Sequence, residues 1–399
     1  MTSLAIPENK FSFLYGSLFI FLLVDIARIQ DVTPIGAIRP GLLALILIAF
    51  ACFLNFKSLE FNHSLKVILL FSILLWLHVP FARNNRYAFN TALSFSSIFV
   101  ACACINVYIT DKLAVIKLFK LFYLISVYLA SYALLHSGRG PGGFLHDEND
   151  IALFINLMIP LGIYLWTTAN GSPRKLYLLS VLVLLAAEVS TRSRGGIVGL
   201  VCMCVLMVLH SKRKVLFSIG LITAFLCMAL LIDSLVPTAS VRKANYLDTV
   251  TSISNVQDST AQERLNSWDA AWEMFKDNPL GVGGNNFQVR FQEFQSDKFK
   301  KGMWGRVAHS VWFTCLSELG IPGVILLFLL FKTSYKVFRR IETSATAFAD
   351  LTKPLKYSLV AFISSGSFIS VLYYPFLWYL VAIISGLDKL ANEDLKSNS

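Results

Sequence analysis

Nearly charge-free apolar runs recur along the whole chain, among them "LYLLSVLVLLAAEVS" at 176–190 and "IVGLVCMCVLMVL" at 197–209. In hydrocarbon every backbone polar group must find its partner within the protein, which leaves only helices and closed barrels. The alternating ten-residue strands of a barrel are absent, and so are the polar faces of soluble amphipathic helices. With 56 % of residues apolar and 15 % charged, the pattern predicts an all-α, polytopic integral membrane protein. About twelve spans are expected, near 11–27, 38–55, 65–81, 91–109, 114–135, 150–168, 176–190, 196–210, 215–236, 310–331, 355–372 and 374–388. The chain then divides into nine spans over 1–236, one large loop over 237–309, and three spans with a tail over 310–399. The first span lacks a small-residue cleavage site and runs on into "DIARIQ", so it reads as a retained helix.

The formal charge of +11 suggests nucleic acid until its distribution is considered. With the N-terminus in the cytoplasm and alternating spans, the lysine-rich clusters "SKRK" (211–214) and "KTSYKVFRR" (332–340) fall on the cytoplasmic side, as the positive-inside rule expects. The short loops of the opposite face carry Arg28, Arg39, Arg83, Arg86, Arg139, Arg192 and Arg194, and no lysine. Lysine suffices for topology, whereas arginine gives planar, bidentate and permanent charge for phosphate or carboxylate. The arginine set therefore points to an anion held at the outer membrane surface. Asp25 and Glu188 lie near Arg28 and Arg192 in the sequence and offer the alternative of internal pairing.

Two of these arginines sit in "TRSRGG" (191–196), between flanking legs of roughly 15 residues, or about 22 Å of helix. A hydrocarbon core about 30 Å thick would leave the tip at or below the outer phosphates. Gly195 and Gly196 permit a tight reversal there.

In the loop 237–309, Leu265, Trp268, Trp272 and Phe275 share one face of an expected helix, which Asn278-Pro279 and Gly281 end. Arg264 borders that face. A second amphipathic stretch carries Phe287, Phe291 and Phe294. Both read as lying on the bilayer or capping the bundle. His309 closes the loop, where histidine is suited to proton transfer near neutral pH. Glu318, nine residues later, is out of phase with His309 and reads as structural. The seven cysteines all fall inside spans and lack zinc-ligand spacing. No P-loop, HExxH or CxxC occurs, and "GVGG" at 281–284 lacks the Lys-Ser/Thr of a nucleotide loop. Neither a metal nor a cofactor is expected.

The segments "GFLHDENDIALFINLMIPL" (143–161), "STRSRGGIVGL" (190–200), "AQERLNSWDAAWEMFKDNPLGVGGNNF" (261–287) and "AHSVWFTCLSELGIPG" (308–323), in this order, resemble the O-antigen ligase and polymerase superfamily of bacterial envelope glycosyltransferases. The resemblance implies a GT-C-like fold with one large periplasmic loop. It also implies a metal-independent enzyme of the bacterial inner membrane, its active site on the periplasmic face. The donor would be an undecaprenyl-diphosphate-linked glycan and the acceptor a glycan or glycolipid hydroxyl. Family positions fall on Arg194, Arg264 and His309. Arg192 and Arg139 are expected to support the diphosphate. "HDEND" departs from the ligase pattern towards polymerising members, which leaves the acceptor open. A polysaccharide polymerase, a protein O-oligosaccharyltransferase and a lipid-linked glycan flippase remain as alternatives; no nucleic-acid partner is expected.

Overall fold

The computed structural model describes residues 8–235, 259–296, 303–344 and 346–397. The predicted loop therefore lies outside the described residues over 237–258 and 297–302. Among the described residues the fold is entirely helical. The principal elements are α1 (Glu8–Asp25), α2 (Pro40–Leu54), α3 (His63–His78), α4 (Asn85–Tyr108), α5 (Lys112–Leu135), α6 (Glu148–Thr168), α7 (Ser172–Thr191), α8 (Arg194–His210) and α9 (Lys214–Leu235). They continue with α10 (Ser259–Asp277), α11 (Val311–Thr343), α12 (Ala349–Gly366) and α13 (Pro375–Ser397). Each of the twelve apolar runs coincides with one helix, and α10 belongs to the loop.

Polar residues punctuate the apolar runs by accepting the first unpaired helical N–H groups. Asn62 caps α3 at Leu65 N, Asp111 caps α5 at Ala114 N, and Ser193 caps α8 at Gly196 N. Five helical stretches are long and apolar enough to cross a bilayer: His63–Phe81, Asn85–Tyr108, Lys112–Leu135, Glu148–Thr168 and Val311–Thr343. Large apolar side chains such as Phe53, Leu124 and Phe328 face outward, each at least 60 % exposed. Water would penalise such a surface and lipid accepts it. The chain is a polytopic membrane protein.

The helix connections sort into two ends. At one end Arg28, between α1 and α2, lies over the ring of Phe144, between α5 and α6, at 5.4 Å. Gly138 there packs on the backbone of Ser190 and Thr191, and Trp268 of α10 neighbours Phe368 beyond α12. Of the seven short-loop arginines, Arg28, Arg39, Arg83, Arg139 and Arg192 lie in connections at this end, and Arg86 and Arg194 in the first turns of α4 and α8. The opposite end carries Lys112 paired with Asp350 at 2.7 Å and Lys356 with Glu342 at 2.5 Å. Arg340 pairs with Asp388 there too.

The last helix is the core. From Phe376 to Ala391, α13 is buried on every side. Trp378 packs edge-on against Phe71 and Phe95, with centroids 4.8 and 4.6 Å away. Its indole donates to Leu372 O at 2.9 Å. As far as Leu387 the helix is apolar on all sides apart from Ser385, a pattern that belongs inside a bundle, and the buried Ser385 meets Asn62 and Asn106 there through hydrogen bonds of 2.7–3.0 Å.

Four expectations change. The tenth span lengthens into α11, whose 33 residues are broken at Gly320 (φ 61°, ψ −155°). The eleventh ends at Gly366 rather than 372, and residues 367–374 form a separate turn before Pro375. The legs of "TRSRGG" run 20 and 17 residues, about 30 and 25 Å at 1.5 Å per residue. Only the second is shorter than the hydrocarbon core, because α7 starts earlier, at Ser172-Pro173. Finally, α10 buries Ser267, Ala270, Ala271 and Met274 rather than the aromatic face alone, and Trp272 stays 48 % exposed. Small side chains let α10 lie close against Phe287 and Phe291, which with Val282 and Ala308 complete a satellite core.

Candidate functional site

The break in α11 determines where the loop docks. At Gly320 the helix opens its carbonyls, and Val282 N and Gly283 N donate to Ser317 O and Glu318 O at 3.1 and 2.8 Å. Ile321 N returns a bond to Pro279 O at 2.9 Å. A Cβ at Gly320 would collide with the backbone of Pro279 and Leu280, and its positive φ favours glycine independently. Glu318, expected to be structural, is 3 % exposed. It accepts from Asn285 N (2.8 Å), Phe287 N (3.0 Å) and the Tyr373 hydroxyl (2.7 Å). The same loop reaches α4, where the Asn285 amide donates to Thr91 Oγ1 at 2.8 Å. His78, at the end of α3, contacts Leu280 O at 2.8 Å through Nε2.

This clamp roofs a cavity of about 730 Å³ at the arginine-bearing end. Its walls come from α4, the start of α6, the turn after α12 and the loop, and include Asp147, Asn149, Asp150, Gln288, His309, Phe368, Tyr373 and Tyr374. His309 lies directly before Ser310, the N-cap of α11. Its φ of 49° puts it in the left-handed region, uncommon for a residue with a side chain and often found at functional positions. Burial, and then the positive charge of Arg264, hold its imidazole below the usual histidine range, with Arg306 acting the same way. The carboxylates of Asp147 and Glu263 oppose that shift without cancelling it. At neutral pH the ring is neutral and ready to accept a proton. Arg306 is itself paired with Glu263 of α10 at 3.2 Å.

Of the five residues nominated from the sequence, His309 contributes directly to the cavity lining. Arg264 lies within electrostatic reach of it, one turn before Trp268. That indole stacks on Phe313 at 5.4 Å and lies 6.3 Å from Phe368. Arg194 opens α8 between two residues that meet the cavity wall. Ser193 Oγ donates to Asn149 Oδ1 at 2.7 Å, and a Cβ on Gly195 would stand 3.3 Å from Phe368. Three segments far apart in sequence thus converge around Phe368 and His309. Arg192 ends α7 in the left-handed region (φ 51°). Arg139 pairs with Glu148 at 3.5 Å and is more than half exposed. Asp25, the internal partner that the sequence offers Arg28 as an alternative, accepts the Tyr379 hydroxyl at 2.6 Å, and Arg28 pairs with Asp31 at 2.9 Å. Glu188 accepts the Asn156 amide at 3.2 Å. Gly196 is small because space is short: a Cβ there would stand 2.5 Å from Glu188 Oε1 and 2.6 Å from the Ala152 methyl.

Sequence reading missed the acidic and phenolic wall. Asp147 caps α6, accepting from Asn149 N at 2.8 Å. Asp150 is 6 % exposed, and the Tyr374 ring lies 5.1 Å from that of Phe144. The available signal was carboxylates in "HDEND" immediately ahead of a membrane-length apolar run, a placement that favours function over packing. "YYP" at 373–375 marked only a helix boundary. Among the described residues no group of three or more His, Cys, Asp or Glu is arranged to hold a metal ion.

The model of the O-antigen ligase family matches residues 154–328, from within α6 to the middle of α11. The match covers less than half of the chain and spans Arg194, Arg264 and His309. No curated protein matches the chain.

Proposed function

We propose, with the O-antigen ligase family as premise, that this chain is an inverting, metal-independent glycosyltransferase of the bacterial inner membrane. It moves a glycan from an undecaprenyl diphosphate carrier to an acceptor hydroxyl at the periplasmic face. In this reading all twelve apolar helices span the bilayer, the N-terminus is cytoplasmic, and 237–309 is the periplasmic loop between the two membrane portions, 1–236 and 310–399. The arginine-bearing end then faces the periplasm and the lysine-bearing end the cytoplasm, in keeping with the positive-inside rule.

The observation that carries the reading is His309, with a lowered proton affinity, in a cavity of about 730 Å³ beside Arg264. The acceptor oxygen attacks the anomeric carbon as His309 takes its proton. The bond from that carbon to the phosphate oxygen breaks, and the diphosphate leaves with the electron pair. Negative charge grows on its oxygens as the bond stretches. Guanidinium groups already aimed at them stabilise the transition state more than the ground state. Arg194 and Arg264 take this role, supported by Arg192. Arg139 is assigned to holding the start of α6 through Glu148.

The test is transfer by the purified full-length protein in lipid nanodiscs. Supplied with a defined polyprenyl-diphosphate glycan and separate lipid A core, glycan-lipid and peptide acceptors, it is expected to form a product whose mass equals acceptor plus glycan. Lengthening of the lipid-linked glycan itself would identify a polymerase. Movement of the carrier across the bilayer without any new glycosidic bond would overturn the reading in favour of a flippase.

A further inference from the structure

The cavity is electrically divided. Arg264 and Arg306 bear on its His309 side, whereas Asp147 and Asp150 stand together on the α6 side. Asp150 is 94 % buried, and its Oδ1, shielded from solvent, has no hydrogen-bond partner among the described residues. A buried carboxylate held for packing would be satisfied by neighbouring donors, because an unsatisfied one is costly. Here the group lines an open cavity instead. Tyr374 stands beside it; burial and then the charges of Asp150 and Asp147 push its phenol above the usual tyrosine range, so it stays protonated and able to donate. Phe144, 5.1 Å from the Tyr374 ring, adds an apolar face to the same wall. A buried carboxyl group, a phenol that donates and a flat apolar surface are together what a sugar ring requires, with its hydroxyls at the rim and C–H groups on its faces.

We propose that Asp150 and Tyr374 form a hydroxyl-reading subsite for a neutral or amino sugar, and that Asp147 on the same wall excludes acidic sugars. The Asp150 carboxyl group hydrogen-bonds a ring hydroxyl, the Tyr374 hydroxyl donates to a second sugar oxygen, and Phe144 covers one face. The negative charge of Asp147 repels a uronate carboxylate as it would repel phosphate, so an anionic group is directed to the arginine side. The subsite deepens the transferase reading and rests on it only for the claim that the bound sugar is a substrate. Both residues lie outside the family match at 154–328, Asp150 just before it and Tyr374 well after it.

The experiment reads sugar binding without transfer. The full-length protein in nanodiscs of neutral phospholipid is titrated with the methyl glycosides of glucose, N-acetylglucosamine and glucuronic acid, and contact is followed by saturation-transfer NMR. The two uncharged glycosides are expected to receive saturation on their ring protons and the glucuronide none. Asp150→Ala removes the carboxyl group, and Asp147→Asn removes charge from the same wall. Asp150→Ala is expected to weaken the uncharged glycosides about fivefold or more, the loss of one hydrogen bond, and Asp147→Asn to admit the glucuronide. Tyr374→Phe should weaken the uncharged glycosides without admitting the glucuronide, a contrast that general misfolding would not produce. Unchanged binding in Asp150→Ala, equal binding of glucuronide and glucoside by the unsubstituted protein, or no saturation of either uncharged glycoside would each overturn the proposal. Sugar binding as described, with no glycosyl transfer from any diphosphate donor, would instead sink the transferase reading and leave this subsite standing.

Discussion

The Tyr373 hydroxyl donates to Glu318 Oε2 at 2.7 Å, joining the turn after α12 to the helix on which the loop is docked. Through the same carboxylate Asn285 N and Phe287 N are held at 2.8 and 3.0 Å. One buried side chain thus sets the roof and one wall of the cavity relative to each other. Removing it leaves three donors without an acceptor, each worth about 1–3 kcal/mol when buried. Glu318→Ala is therefore expected to lower stability by roughly 3 kcal/mol or more and to abolish activity, with Glu318→Gln retaining part of both. Tryptophan-fluorescence unfolding in detergent measures this, and an unchanged midpoint for Glu318→Ala would refute it.

The charge of Arg264 at His309 has a sign that can be tested by pH. A base must be neutral to accept a proton, and the folded environment holds His309 below its ordinary value. Transfer should rise with pH to a plateau, its acid limb centred below about 6.5, the unperturbed histidine value. Arg264→Gln removes a cause of the lowering and should move that limb to higher pH, whatever it does to the plateau. Asp147→Asn removes an opposing cause and should move it lower. The stability contribution follows the same sign: it is intact above the ordinary histidine value and is lost as pH falls towards the lowered one, where folding must expel a proton that the unfolded chain binds. A pH–rate profile for the three proteins decides, and a limb that stays in place in Arg264→Gln would separate the two residues.

For Arg194 the distinction lies between charge and shape. Arg194→Lys keeps the charge and loses the planar fork. Transfer is expected to fall about tenfold or more, the cost of one strong charge-assisted bond, with membrane accumulation unchanged. Rates equal to the parent would show that a point charge suffices and would remove the bidentate clamp.

At Gly320 the expected loss is structural. An alanine at φ 61°, ψ −155°, a backbone region essentially reserved for glycine, costs about 1–3 kcal/mol from strain alone, and its Cβ would also press on the Pro279–Leu280 backbone. Gly320→Ala should therefore destabilise the protein by more than this and make the 278–287 segment newly accessible to limited proteolysis. Resistance equal to the parent would show that the α11 break does not hold the loop.

Each of the twelve apolar runs was legible in the sequence as a helix, because a chain in lipid must satisfy its backbone within each segment and advertises that with an unbroken apolar run. Arginine bias singled out one end of the bundle for the same reason: a charge near hydrocarbon is costly, and its presence marks a requirement. What stayed hidden depends on contacts between segments distant in sequence. Composition does not distinguish α13 as the central helix from a lipid-facing one, since both are apolar. The break at Gly320 lies inside an apolar run and becomes necessary only when Pro279–Gly283 dock on it. Asp150 and Tyr374 stand more than two hundred positions apart, and His309 acquires its lowered proton affinity only when Arg264 and its burying neighbours close around it. Local pattern determined which stretches are helices. Only tertiary packing decided which side chains share a cavity, because that depends on how helices pair across the bundle.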